Sequence, residues 1–280
     1  MLDKVFNCEE RLREALHFFW RGDPVGRRKS FGNPDQDNQN GIEEGEDFAG
    51  FRDMIVDVVR QYGPEGCELH QGKDCILPGF FQQTSQWDMV ISFQGRLLAA
   101  IDLRFLCAPA FEKQIYNCCE DAIQKGYDFR EAQGAAIFGH GASPFLGYFI
   151  LVEDAPGSRE PVKDKAALLP TDQVFHASSR QQRMSILCER MAQEQLYSCA
   201  SVLVASREVE SGAHSDLSNQ TSFRLLLSRL AGHLASEADA AGDSRTRNKE
   251  KSATYESSSL LAGEWFTSIE TPEDLPATVS

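Results

Sequence analysis

The chain lacks any run of roughly 20 uninterrupted apolar residues, the length a helix needs to cross a bilayer. Its opening residues, Met1-Leu2-Asp3-Lys4, lack the basic start and apolar stretch of a secretion signal. These absences predict a cytoplasmic chain with no membrane partner. Positive charge is also short, with 28 Lys and Arg against 42 Asp and Glu, a formal net charge of −14. That balance argues against non-specific nucleic-acid binding, although a local basic cleft can sit on an acidic body. The cysteines (Cys8, Cys67, Cys75, Cys107, Cys118, Cys119, Cys188 and Cys199) follow no regular spacing. Cys67-x-x-His70-x-x-x-x-Cys75 has no second pair to complete four zinc ligands, so buried thiols are the expected reading. Nucleotide-binding glycine motifs are missing, and Gly139-His140-Gly141-Ala142-Ser143 is not a nucleophile elbow.

What is present suits a globular core. The hydrophobic fraction is 41%, near the average for folded domains. Leu12, Ala15, Leu16 and Phe19 recur at helical spacing within Cys8 to Arg21, and Phe51, Ile55, Val58 and Val59 do so within Phe48 to Tyr62. Between these two helices, residues 22–47 are rich in Gly, Asn, Asp and Gln and predict a flexible loop. Trp87 to Phe93 and Arg96 to Leu106 predict a hairpin turning at Gln94-Gly95. A helix is expected over Ala110 to Gly126, then an almost wholly apolar strand at Phe145 to Glu153. A helix at Arg180 to Glu194, a strand at Ala200 to Ala205 and a helix at Asn219 to Leu234 follow. The expected fold class is α/β, one mixed sheet flanked by helices over residues 1–235. Residues 236–280, dominated by Ser, Ala, acidic residues and Thr, predict a disordered tail in which Trp265 and Phe266 could anchor a partner.

Chemistry concentrates in the hairpin. Residues i and i+2 of a strand share a face, so Asp102 and Arg104 point the same way, each interrupting an apolar run. With a turn at residues 94–95, Asp88 falls opposite residue 101 or 102, and the two carboxylates can converge. Two carboxylates beside a cation suit metal-assisted phosphodiester hydrolysis: the acids hold Mg²⁺, and the cation stabilises charge on the phosphate. The same spacing also suits a plain salt bridge among Asp88, Asp102 and Arg104. Arg27-Arg28-Lys29 is either a phosphate-contacting arm or a solvated loop, and Arg180 and Arg183 either face DNA or cover a helix.

A series of short segments narrows these alternatives. Leu77-Pro78-Gly79-Phe80-Phe81, Thr84 and Trp87-Asp88 resemble the XhoI-type restriction endonucleases, a family of the PD-(D/E)xK nuclease class. The likeness continues through Leu98-Ala99-Ala100-Ile101, Pro109, Phe111, Asn117, Glu120, Ala122-Ile123, Gly147-Tyr148 and Leu151-Val152-Glu153-Asp154. It goes on through Pro161-Val162, Ile186-Leu187-Cys188-Glu189-Arg190, Leu196-Tyr197 and Phe223, and so spans about residues 10 to 235. The resemblance implies a restriction-endonuclease-like fold and a Mg²⁺-dependent homodimer that cuts double-stranded DNA at CTCGAG. It implies Asp88 and Asp102 as metal ligands, Arg104 at the position of the family's lysine, and Asn117 and Glu120 on a helix near the cleft. Thr84 joins the DNA-binding candidates.

The departures fall at the same place. Asp102 stands where the family has glutamate, and Arg104, which cannot act as a base near neutral pH, stands where it has lysine. Two outcomes stay open: a deoxyribonuclease, at full or attenuated rate, and a catalytically silent relative that binds DNA or a protein.

Overall fold

A computed structural model describes residues 7–21, 48–109, 111–139, 142–163, 168–207 and 213–242. Residues Arg27, Arg28 and Lys29, with the rest of the expected 22–47 loop, lie outside that set, as does the tail beyond 242. The chain divides into two units, Met1–Glu237 and Ala238–Ser280. The first holds the sheet. Of the second only 238–242, the end of the last helix, are described.

Helices α1 (Cys8–Arg21) and α2 (Ala49–Tyr62) form where helical periodicity predicted them, burying Leu12, Leu16 and Phe19, and Phe51, Ile55 and Val59, respectively. Strand β1 (Glu68–Gln71) follows, then the short strands β2 (Ile76–Pro78) and β3 (Thr84–Gln86), which pair as a separate hairpin. Strands β4 (Met89–Phe93) and β5 (Arg96–Leu106) make the expected hairpin. Its turn holds Gln94 at φ 53° and Gly95 at φ 74°, the two positive values that a tight two-residue turn needs.

Helix α3 (Phe111–Gly134) crosses to β6 (Phe145–Glu153), which lies parallel to β5. The short α4 (Pro156–Arg159) and α5 (Arg180–Gln193) lead to β7 (Cys199–Ala205), parallel to β6. Strand β8 (His214–Asp216) closes the edge antiparallel, and α6 covers residues 223–242. The sheet order is β1-β4-β5-β6-β7-β8, mixed in direction and flanked by helices, which is the α/β class expected.

Side-chain alternation sorts the two faces. Phe105 and Phe149 pack with Phe19, Phe48, Phe51 and Phe223 on the side of α1, α2 and α6. Ala100, Leu106, Tyr148, Ile150 and Val152 pack with Ala122, Phe129, Met184 and Cys188 on the side of α3 and α5. Asp102 and Arg104 share the parity of Ala100 and Leu106, so they face α3. All nine residues of β6 are buried, as its continuous apolar run implied.

Two helices have other bounds than the sequence predicts. Helix α3 does not stop at Gly126 but runs to Gly134. Gly126 is there for space: a Cβ at this position would meet Tyr197 Cε2 at 2.7 Å. Helix α6 starts at 223 and continues past Leu234 to 242, so residues 236–242 of the expected tail are helical. The continuation has a reason in Glu237, a buried acid whose carboxylate pairs with Arg96 at the start of β5.

Candidate active site

The β4–β5 register puts Met89 beside Ile101, and the Asp88 N–H donates to the Ile101 carbonyl at 3.1 Å. Asp88 therefore faces Asp102 across the mouth of the hairpin, as turn counting predicted. One oxygen of Asp88 accepts the Leu103 N–H at 2.7 Å, which fixes the carboxyl against β5. The Asp88 carbonyl takes bonds from behind, from the Gly72 N–H at 3.4 Å and the Cys75 thiol at 3.7 Å. Cys75 is fully buried and its thiol is pushed up to about 11, chiefly by burial, so it supports the loop as an inert thiol.

Asp102 is 1% exposed, and two cations reach it. Arg104 Nε lies 3.1 Å from Oδ2, and Lys125 Nζ lies 3.2 Å from Oδ1. Both also meet Asp121 of α3: Arg104 Nη2 at 2.9 Å and Lys125 Nζ at 3.8 Å from Oδ2. The lysine ammonium sits 5.5 Å from the centre of the buried Trp87 ring, which walls the site.

These surroundings drive the two acids apart. Burial, then the charge of Asp102, pushes Asp88 up to about 7, against the opposing pull of Arg104 and the Leu103 N–H. Burial acts to raise Asp102 as well, but Arg104 and Lys125 outweigh it and hold that carboxyl below the usual range. Paired carboxylates with such opposed proton affinities are a recurrent mark of functional sites.

The other expected residues are more dispersed. Asn117 is exposed on α3, one turn before Asp121 on the same stripe. Glu120 falls on the neighbouring stripe with exposed Tyr116, Ile123 and Tyr127, and the helix acid that reaches Arg104 is Asp121. Thr84 is exposed at the start of β3. Arg180 donates to the Gly157 carbonyl at 2.7 Å, and Arg183 donates to Ser178 Oγ at 3.1 Å and lies over the Phe175 ring. Those contacts tie the start of α5 to the loops around it, beyond the C-terminal end of β6.

Lys125 and Asp121 escaped the sequence reading. Their signal was present but needed the true length of α3. Once the helix runs on past Gly126 to Phe129, Lys125 falls among Ala122, Gly126 and Phe129, a charge in a buried stripe. That is the same anomaly that singled out Asp102 on its strand.

A family model described as "Restriction endonuclease XhoI" matches residues 27–216, which include every member of this cluster. The chain belongs to that restriction endonuclease family. Three relatives of the XhoI-family chain show the depth of the likeness. The type II restriction enzyme AbrI of Azospirillum brasilense is 32% identical over 160 residues, 56% of this chain and 72% of the relative. BstVI of Geobacillus stearothermophilus is 27% identical over 216 residues, covering 75% and 96%. The type II restriction enzyme XhoI of Xanthomonas vasicola is 30% identical over 179 residues, covering 62% and 71%. No solved structure matches the chain.

The donor set of this XhoI-family site suits a hard divalent cation. Asp102 is buried with Arg104 Nε 3.1 Å from its Oδ2, and Asp88 converges on it from the partner strand. Mg²⁺ is commonly held by one or two carboxylates, with water and substrate phosphate filling the remaining positions. The residues present fit that demand.

Proposed function

We propose that the chain is a Mg²⁺-dependent type II deoxyribonuclease that hydrolyses both strands of a palindromic DNA site, CTCGAG in the first instance, as a homodimer. The observation that supports this best is the convergence of Asp88 and Asp102 beside two cations, inside the region matched by the family. Asp88 and Asp102 would hold the metal, which when bound supplies charge neutralisation and a water of lowered pKa.

The chain's own groups divide the remaining work. The Leu103 N–H fixes the Asp88 carboxyl, so the two acids stay aligned without substrate. Asp121 spans Arg104 and Lys125 and holds both cations at the rim. The Trp87 indole and the apolar neighbours behind it keep water from the rear of the site. Two-fold symmetric DNA would be met by a two-fold symmetric dimer.

Arg104 favours a second reading, that of a silent relative. A planar guanidinium engaged by two aspartates is a poor substitute for a mobile lysine. The deciding experiment is cleavage of plasmids with and without CTCGAG, in Mg²⁺ and in Mn²⁺, by the natural chain, Asp88→Ala and Arg104→Lys. Discrete fragments that vanish with Asp88→Ala are expected. Intact plasmid in every lane, Arg104→Lys included, would leave the silent reading standing.

A further inference from the structure

Arg104 and Lys125 both reach Asp102, yet they are placed for different work. The Arg104 fork spans two carboxylates, Asp102 through Nε at 3.1 Å and Asp121 through Nη2 at 2.9 Å. One of these acids is on β5 and the other on α3, so the guanidinium ties strand to helix. A planar group committed along both edges has little freedom to follow a reacting phosphate.

Lys125 is committed differently. Its ammonium has one close partner, Asp102 Oδ1 at 3.2 Å, and a looser one in Asp121 at 3.8 Å. An ammonium carries three donors on a flexible stem, so further bonding capacity remains. The side chain is 15% exposed, and the face of Trp87 braces it. It comes from a buried stripe of α3 between Ala122 and Phe129, where a lysine is costly unless its charge is used. A single cation already in contact with Asp102 makes a second one redundant for neutralising that acid alone.

We propose that the lysine of the metal-site pattern has moved from strand to helix in this chain. Lys125 contacts the scissile phosphate and the attacking water beside Asp102, while Arg104 serves as a tie between β5 and α3. This rests on the nuclease reading above and deepens it. The transfer keeps a primary ammonium next to the second carboxylate, and it explains how arginine is tolerated at position 104.

The test compares Lys125→Met, Lys125→Arg, Arg104→Ala and the natural chain in three measurements. The first is single-turnover cleavage of a CTCGAG plasmid in Mg²⁺. The second is DNA affinity by fluorescence anisotropy in Ca²⁺ with a labelled CTCGAG duplex. The third is thermal unfolding of the free chain. Lys125→Met is expected to slow cleavage by on the order of a hundredfold or more, as loss of a preorganised charge does. Its affinity in Ca²⁺ should fall by no more than about tenfold near ~0.1 M salt, with the salt slope of binding reduced by about one. Lys125→Arg is expected to keep the slope and recover part of the rate. Arg104→Ala is expected to lower the unfolding temperature and, in the folded chain, to slow cleavage less than Lys125→Met does. A natural chain that cuts while Lys125→Met cuts at an undiminished rate would overturn the proposal and leave the nuclease reading intact. Cleavage lost on Arg104→Ala in a folded chain, with Lys125→Met active, would return the role to the strand. A natural chain that binds DNA but cuts none in Mg²⁺ or Mn²⁺ would overturn both.

Discussion

Asp88 and Asp102 carry the same side chain, and their surroundings pull their proton affinities in opposite directions. The pull has a consequence for stability in the absence of metal. An unfolded aspartate titrates near 3.8, whereas burial and the Asp102 charge hold folded Asp88 near about 7. Between those values the folded chain binds a proton that the unfolded chain has lost, so rising pH favours unfolding. Protonated Asp88 thus contributes stability that is complete below the unfolded value and lost as pH rises through about 7. Asp102 has the reverse sign: its contribution is present above the ordinary carboxylate range and disappears only as pH falls through its lowered value. The windows do not overlap. In EDTA, the unfolding temperature should therefore fall from about pH 5 to about pH 8, and Asp88→Asn should flatten that slope. Calorimetry across this range measures it, and an unaltered slope with Asp88→Asn would assign the titration to another group. Asp102 was legible because a charge that interrupts an apolar strand is visible in one dimension. Its partner Lys125 was not, because it depends on which helix face meets the strand.

Elements explain why legibility was uneven. Strands β5 and β6 were readable since an apolar run of strand length leaves few alternatives, and the Gln94-Gly95 turn set the register that brings Asp88 to Asp102. Strands β1, β2 and β3 were missed because they are three or four residues long and mostly exposed, so no alternation could show. The loop between β2 and β3 is ordered by something no local pattern records. Asp128, two turns from the end of α3, is 4% exposed, and its Oδ1 accepts the N–H groups of Phe80 at 3.1 Å, Phe81 at 2.6 Å and Gln82 at 3.3 Å. Through that clamp α3 holds both the loop that leads into Trp87-Asp88 and, by Lys125, the partner carboxylate. Asp128→Ala leaves the three donors without their acceptor and should cost about 3 kcal/mol, since hydrogen bonds to a charged group contribute roughly 1.5–3 kcal/mol. Urea denaturation would read the loss. Limited proteolysis should then cut first between Pro78 and Thr84, and protection equal to that of the natural chain would show that the loop is held by other means.

At the scale of the whole molecule, an acidic chain has to bind a polyanion. A net charge of −14 repels DNA at long range, and the cations of the site do not offset it, because Arg104 and Lys125 already face Asp102 and Asp121. Ionic screening over about 8 Å at physiological salt removes the distant part of that repulsion and leaves the local part. On the proposed reading, Asp88 is the acid whose ionisation would add one more negative charge where phosphate would arrive. A divalent cation at the two carboxylates reverses the local sign. DNA affinity should therefore depend on the cation itself, apart from any cleavage. A labelled CTCGAG duplex is expected to bind at least about tenfold more tightly in Ca²⁺ than in EDTA at equal ionic strength, given the charge dependence of phosphate contacts. The double change Asp88→Asn with Asp102→Asn removes both negative charges and the cation's ligands together. It should strengthen binding in EDTA and abolish the gain from Ca²⁺. Affinity that is the same in EDTA and Ca²⁺ for the natural chain would mean that DNA is held by basic surface away from the carboxylates, and that the site is not where the duplex docks.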